Sequence, residues 1–203
     1  GERNMAETTQ STGAAGIDPL AVTAYFYPED TPLRRMLWQH SLQVRDKALA
    51  ILANPVCAPL ALDAQVVAAG ALLHDLGIGR CHAPKIGCDG PEPYIVHGLL
   101  GAAMLREYGR RHGLDLELYA RICERHTGSG IAAEEVRRQN LPLPVRDYLP
   151  ETPEEKLICL ADKFFSKSGD MQEKPLSRVR HALSKFGPDA LARFDALCNL
   201  FGI

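Results

Sequence analysis

The chain has 203 residues, with 23 Lys and Arg against 25 Asp and Glu, a formal charge of −2, and 46% hydrophobic residues. Those values suit a globular domain with a sizeable core, and they exclude a dedicated nucleic-acid-coating surface, which needs a clear cationic excess. Seven His and six Cys stand out in so short a chain.

Residues 1–16 are small and polar and are predicted as a flexible lead-in, without the charged start and apolar stretch of a signal peptide. Pro32 opens a helix whose inward stripe carries Leu33, Met36, Leu37, His40, Val44, Ala48 and Ile51. Asn54, Pro55 and Pro59 then interrupt the chain before any apolar span long enough to cross a membrane accrues. Asp63 is predicted to cap a second helix whose run from Val66 to Leu73 is apolar all round, so it should be central and buried. Pro93 opens a third, carrying His97, Leu100, Met104 and Tyr108 and stopping at Gly109. A fourth covers residues 115–125 with Cys123 inward, and a short one covers 132–139. Pro142, Pro144 and Pro150 make residues 140–150 irregular. Thr152, Pro153 and Glu155 spell a capping box that starts a helix with Ile158, Asp162 and Phe165 on one face. Two more helices, over 176–186 and 188–201, are separated by Gly187 and Pro188. No strand alternation, repeat or composition break appears. The prediction is an all-α fold: a compact single-domain helical bundle over residues 17–203, of roughly seven or eight helices.

The informative residues are polar ones on apolar faces. His40 lies between Leu37 and Val44, and His74-Asp75 ends the most hydrophobic helix. His97 shares a face with Leu100 and Met104, His126 follows Cys123 by three positions, and Asp162 lies between Ile158 and Phe165. Burying imidazoles and carboxylates costs several kcal/mol unless they are paired or metal-bound. A lone inward His is more often a hydrogen-bonded core residue than a ligand. Four His and two Asp together instead suit borderline divalent metals, iron first, with manganese or zinc as alternatives. The set exceeds one tetrahedral zinc and fits two ions sharing a carboxylate. His82, His112 and His181 sit in irregular or cation-rich surroundings and are predicted to be solvated or capping residues. The six Cys form no C-x-x-C pair, and Cys81, His82, Cys88 and Asp89 are too few and irregular for a zinc clip, so reduced thiols in the cytoplasm are expected.

His40, the run Leu-Leu-His74-Asp75-Leu-Gly-Ile-Gly and Asp162 in Cys-Leu-Ala-Asp-Lys resemble the HD superfamily of metal-dependent phosphohydrolases, in its HDIG-type branch. The signature covers roughly residues 32–167, and His97 and His126 match the extra ligands of the binuclear branches. The Gly-Tyr-Pro motif of one such branch is absent, which counts against cyclic dinucleotide hydrolysis. The resemblance implies that His40, His74, Asp75 and Asp162 hold one divalent ion and that Asp75, as the catalytic bridge, holds a second with His97 and His126. It further implies hydrolysis of a phosphoester or phosphoanhydride of a nucleotide or similar small molecule by a metal-activated hydroxide. Arg80, Arg125 and Lys163, all close in sequence to the motif residues, are the expected phosphate-binding cations. Residues 127–130 lead into a helix, and their amides could meet an anion. Two other readings share the scaffold: a di-iron oxygenase, and a non-catalytic regulatory module with a structural or sensory metal.

Overall fold

The computed structural model describes residues 16–203, so the expected lead-in lies, Gly16 aside, outside the described residues. These form nine α-helices: α1 (Pro19–Phe26), α2 (Pro32–Leu52), α3 (Ala64–Leu73), α4 (His97–His112), α5 (Glu117–Glu124), α6 (Ala133–Arg138), α7 (Pro153–Asp162), α8 (Leu176–Ser184) and α9 (Pro188–Phe201). The fold is all-α, with α1 added to the helices expected from the sequence. Asp18 caps it, its carboxylate accepting from the amides of Leu20 and Ala21. Among the described residues no helix is long and apolar enough to cross a membrane.

The all-round apolar run becomes α3, which packs against α1, α2, α5 and α7. Val67, Ala71 and Leu73 of α3, Val44 and Ala48 of α2, and Leu157, Ile158 and Leu160 of α7 are wholly enclosed. One core of such residues runs from Ile17 to Phe201. Each buried Val, Leu or Ile contributes about 1.5–3 kcal/mol. A smaller core of Ile131, Val136, Leu143 and Tyr148 gathers the irregular 140–150 segment beside α6, and an antiparallel bridge between Ile131 and Tyr148 closes it.

Two glycines set the approach of α4. A Cβ on Gly77, in the 3-10 turn Leu76–Arg80 after α3, would stand 2.3 Å from the carbonyl oxygen of His97 and 2.4 Å from the amide nitrogen of Gly101. A Cβ on Gly98 would stand 2.5 Å from the carbonyl oxygen of Cys123 on α5. Only glycine lets α4 slot between that turn and the end of α5.

Several boundaries differ from expectation. After Pro93 comes a 3-10 turn, Tyr94–Val96, so His97 begins α4 instead of sitting one turn inside it. Gly109 is buried within α4, and Gly113, at φ +67°, is the residue that ends it. α7 stops at Asp162, so Phe165 lies beyond the helix. Half of the predicted capping box forms: Thr152 Oγ1 accepts from the amide of Glu155 at 3.1 Å. The Glu155 carboxylate instead accepts from the amide of Glu151 and pairs with Arg121 and Arg125. A hairpin of two-residue strands, β1 (His82–Ala83) and β2 (Cys88–Asp89), was not expected, because strands this short carry no alternation to read. All six cysteines are free and buried.

Candidate metal centre

His40, His74, His97, His126, Asp75 and Asp162 converge at the junction of α2, α3, α4, α5 and α7. All six are buried. His40 Nε2 and His74 Nε2 stand 2.9 and 3.1 Å from Asp162 Oδ1. His97 Nε2 and His126 Nε2 each stand 3.2 Å from Asp75 Oδ1, while His40 Nε2 lies 3.4 Å from the other oxygen, Oδ2. Asp75 therefore turns one oxygen to each half of the cluster.

Helix ends orient the rings. His74 donates Nδ1–H to the carbonyl of Ala71 at 2.6 Å, His97 to that of Tyr94 at 2.6 Å, and His126 to that of Cys123 at 2.7 Å. In each case the acceptor lies three residues back. For His74 and His126 it belongs to the last turn of α3 or α5, where carbonyls lack helical partners. In a neutral ring the proton on Nδ1 leaves Nε2 as a lone pair aimed at the centre, the usual arrangement of a metal-binding imidazole. His74, which burial would push down but Asp75 and Asp162 raise, turns its Nε2 to Asp162. His40 differs: its Nδ1 is buried without a partner among the described residues.

Charge within the cluster points the same way. Burial alone would push Asp75 up, yet Lys167, His74 and the close rings of His126 and His97 hold it well below the usual carboxylate range. Burial likewise opposes ionisation of Asp162, but Lys163 and the bonds from His40 and His74 keep it well below that range. Burial lowers His126 to about 4, so the ring is neutral near pH 7. His97 Nε2 and His126 Nε2 then approach to 2.9 Å with both Nδ1 protons already committed. Neither oxygen of Asp75 accepts a well-directed hydrogen bond, although Lys167 Nζ stands 2.9 Å from Oδ2. Imidazole lone pairs crowded on Oδ1 of a buried carboxylate are a donor set that a divalent metal fits. Among the described residues, the groups compact enough to share an ion are His40, His74 and Asp162, and His74, Asp75 and His126, each with ligand atoms within 4.8 Å of one another.

A cavity of about 750 Å³ opens onto this cluster. His97, His126, Asp162, Lys163 and Lys167 form its polar end, and Ile95, Ile131, Leu141, Phe165, Leu183 and Phe186 supply apolar wall. Lys163 bonds Asp162 Oδ2 at 2.6 Å and the carbonyl of His126 at 2.8 Å. Residues 127–130 also line the cavity, but the amide of Gly130 is turned to the carbonyl of Thr127.

The other two expected phosphate-binding cations lie elsewhere. Arg125 points away from its neighbour His126 and pairs with Glu151 and Glu155 at 3.2 and 3.1 Å. Arg80 is exposed, with its guanidinium over the ring of Phe26. Neither lines the cavity. Sequence reasoning missed Lys167, which reaches Asp75 Oδ2 and donates to the hydroxyl of Tyr94 at 3.0 Å. Its only sequence signal is a lysine five residues after Asp162. His82 is exposed on the hairpin, His112 stacks on Tyr108, and His181 is exposed on α8, all apart from the cluster.

The sequence matches the HD domain family over residues 37–166. It is 42% identical over 104 residues to a tRNA (cytidine(56)-2'-O)-methyltransferase of Picrophilus torridus, covering 51% of this chain and 25% of that protein. A protein of the same name from Thermoplasma volcanium is 34% identical over 161 residues, 79% of this chain and 40% of the relative. An uncharacterised protein of Methanocaldococcus jannaschii is 43% identical over 101 residues, 50% of this chain and 49% of the relative. The chain thus spans a quarter to about half of these curated relatives.

Proposed function

The chain belongs to the HD domain family, and from that premise we propose that it is a metal-dependent phosphohydrolase acting on a nucleotide or similar small phosphorylated molecule. The observation that carries the reading is the buried convergence of four imidazoles and two carboxylates at the polar end of a substrate-sized cavity. His40, His74, Asp75 and Asp162 would hold one divalent ion, and Asp75, His97 and His126 a second. Iron is favoured for a His-rich carboxylate set, with manganese or zinc as alternatives. Bound there, such ions supply Lewis acidity toward phosphoryl oxygens and a water of lowered pKa.

The chain's own residues do the rest. Asp75 and Asp162 orient the two halves of the centre, held by rings whose positions are fixed through backbone carbonyls. Lys163 uses two of its donors on Asp162 and the carbonyl of His126, leaving a third for a phosphoryl oxygen. Lys167 stands in the same relation to Asp75 and Tyr94. Apolar wall on the mouth side limits bulk water around the reacting phosphate. Free buried cysteines suit the cytoplasm, the compartment proposed for the protein. The methyl transfer named for two relatives belongs to proteins of which this chain covers 25% and 40%, and it is not carried over.

Elemental analysis of the purified protein, coupled to phosphate release from mono-, di- and dinucleoside polyphosphates, tests the reading. Two ions per chain and release from at least one substrate are expected. His126→Ala should retain one ion; two retained ions would overturn the two-metal assignment. Metal-loaded protein that releases no phosphate but consumes oxygen with an organic substrate would replace the hydrolase by a di-iron oxygenase. Neither activity would leave a regulatory metal module.

A further inference from the structure

We propose that Lys174 binds a second anionic group of the substrate, so that diphosphates and bisphosphates are favoured over molecules with one phosphate. The inference rests on the phosphohydrolase reading and concerns the same cavity.

The charges lining the cavity fall into two kinds. Most are matched within the protein. Lys163 pairs with Asp162, Lys167 with Asp75, and Glu135 with Arg193 at 2.7 Å. Lys174 is different. It lines the cavity half-buried, and among the described residues its ammonium makes no hydrogen bond, ion pair or ring contact. It forms no ion pair with Asp75 or Asp162, although Asp162, Lys163 and Lys167 are near enough for their charges to act on it. Burial pushes its pKa down, the strain expected of a cation without a partner.

This lysine is not a loose surface residue either. Its amide donates to the carbonyl of Phe164 at 2.9 Å. Next to it, Glu173 pairs with Lys47 of α2 at 2.9 Å, and Gln43 of α2 donates to the carbonyl of Met171 at 2.7 Å. Pro175 follows and leads into α8. Three tethers around one residue, and the helix that starts just after it, fix where its side chain starts, and the cavity is where it goes. An anchored, half-buried cation with no acceptor in the protein is short of an anion from outside it.

One phosphate at the metal centre is already served by Lys163 and Lys167, so the charge of Lys174 is left for another anionic group further along the molecule. Lys85, on the turn between β1 and β2, also lines the cavity and has no ion-pair partner among the described residues. It is exposed and therefore screened, so it adds to the field without fixing a position.

Calorimetric titration of metal-loaded protein with inorganic phosphate and with pyrophosphate tests the proposal without requiring turnover. A charged hydrogen bond lost corresponds to about tenfold or more in affinity. Lys174→Ala should weaken pyrophosphate by at least about that factor and phosphate by less than about twofold, and Lys174→Arg should restore most of the pyrophosphate affinity. Equal weakening of both anions, or of neither, overturns it. The phosphohydrolase reading stands or falls separately, on the phosphate-release panel.

Discussion

The two ends of the cavity are built from different kinds of chain. At the polar end, His40 sits on α2, His74 closes α3, His97 opens α4, His126 follows α5 and Asp162 closes α7, each buried in helix packing. At the mouth, much of the lining comes from the hairpin turn 84–86, the loop 127–131 and, beyond Lys163 and Lys167 of the polar end, the strap that carries Phe165, Ser168 and Lys174. These segments are all irregular or nearly so, with Leu183 of α8 and Ala190 of α9 beside them. A centre that holds two carboxylates out of water needs its surroundings fixed. Helix termini provide this, since their unpartnered carbonyls catch the Nδ1–H of a histidine three residues on. The irregular segments of the mouth need only tethers, and their exposed side chains can be exchanged without disturbing the core.

The largest test of this contrast strikes the residue shared by both halves of the polar end. Asp75→Asn keeps the shape but removes the charge that faces His97, His126 and Lys167. Metal content should fall, and turnover should drop by about a thousandfold, since several kcal/mol of transition-state stabilisation is at stake at tenfold per 1.4 kcal/mol or so. Steady-state rates with metal analysis on the same sample check it. A variant retaining full metal and rate would mean that the polar end does not do the chemistry.

The same contrast explains what could be read from sequence. His40, His74, Asp75, His97, His126 and Asp162 were visible because helices impose a period, and a polar residue on an apolar stripe breaks it. The strap between α7 and α8 has no period to break. Lys167 and Lys174 lie between α7 and α8, where a lysine looks like any solvated cation until the strap's tethers to α2 are known. Arg125 misled for a related reason. It adjoins His126 in sequence, but neighbours at a helix end point about 100° apart, and its guanidinium faces Glu151 and Glu155. Helix boundaries slipped where a 3-10 turn or a contact glycine stood in for a cap, as at Tyr94–Val96 and Gly109.

A second test presses on how the polar end is assembled. Gly77→Ala places a methyl 2.3 Å from the carbonyl oxygen of His97, against backbone that cannot rotate away. Overpacking of this kind costs about 1–3 kcal/mol and should lower the thermal midpoint by several degrees. Because α4 must retreat, His97 retreats with it, and metal content should fall below two ions per chain. An unchanged midpoint with full metal would show that the turn after α3 yields freely, and the rigidity assigned to this end would be lost.

The smallest expected effect sharpens the comparison from the other side. His82 belongs to the mouth hairpin, one residue before lining residue Ala83, and it is opposite Asp89 in the register. Its side chain is exposed and lines no part of the cavity. The local structure is held by backbone: the amide of His82 donates to the carbonyl of Glu92 at 2.7 Å, and the amide of Gly90 to that of Cys81 at 3.0 Å. His82→Ala removes none of these bonds and opens no buried space, so its stability cost should stay within the about 0.5 kcal/mol usual for surface substitutions. Both ions and the rate should stay within about twofold of the parent protein, as for a surface residue outside the site. Metal analysis and steady-state kinetics on this variant separate the two kinds of chain. If either falls further, the hairpin contributes more than backbone to the site, and the line drawn between a rigid polar end and an exchangeable mouth must move to include it.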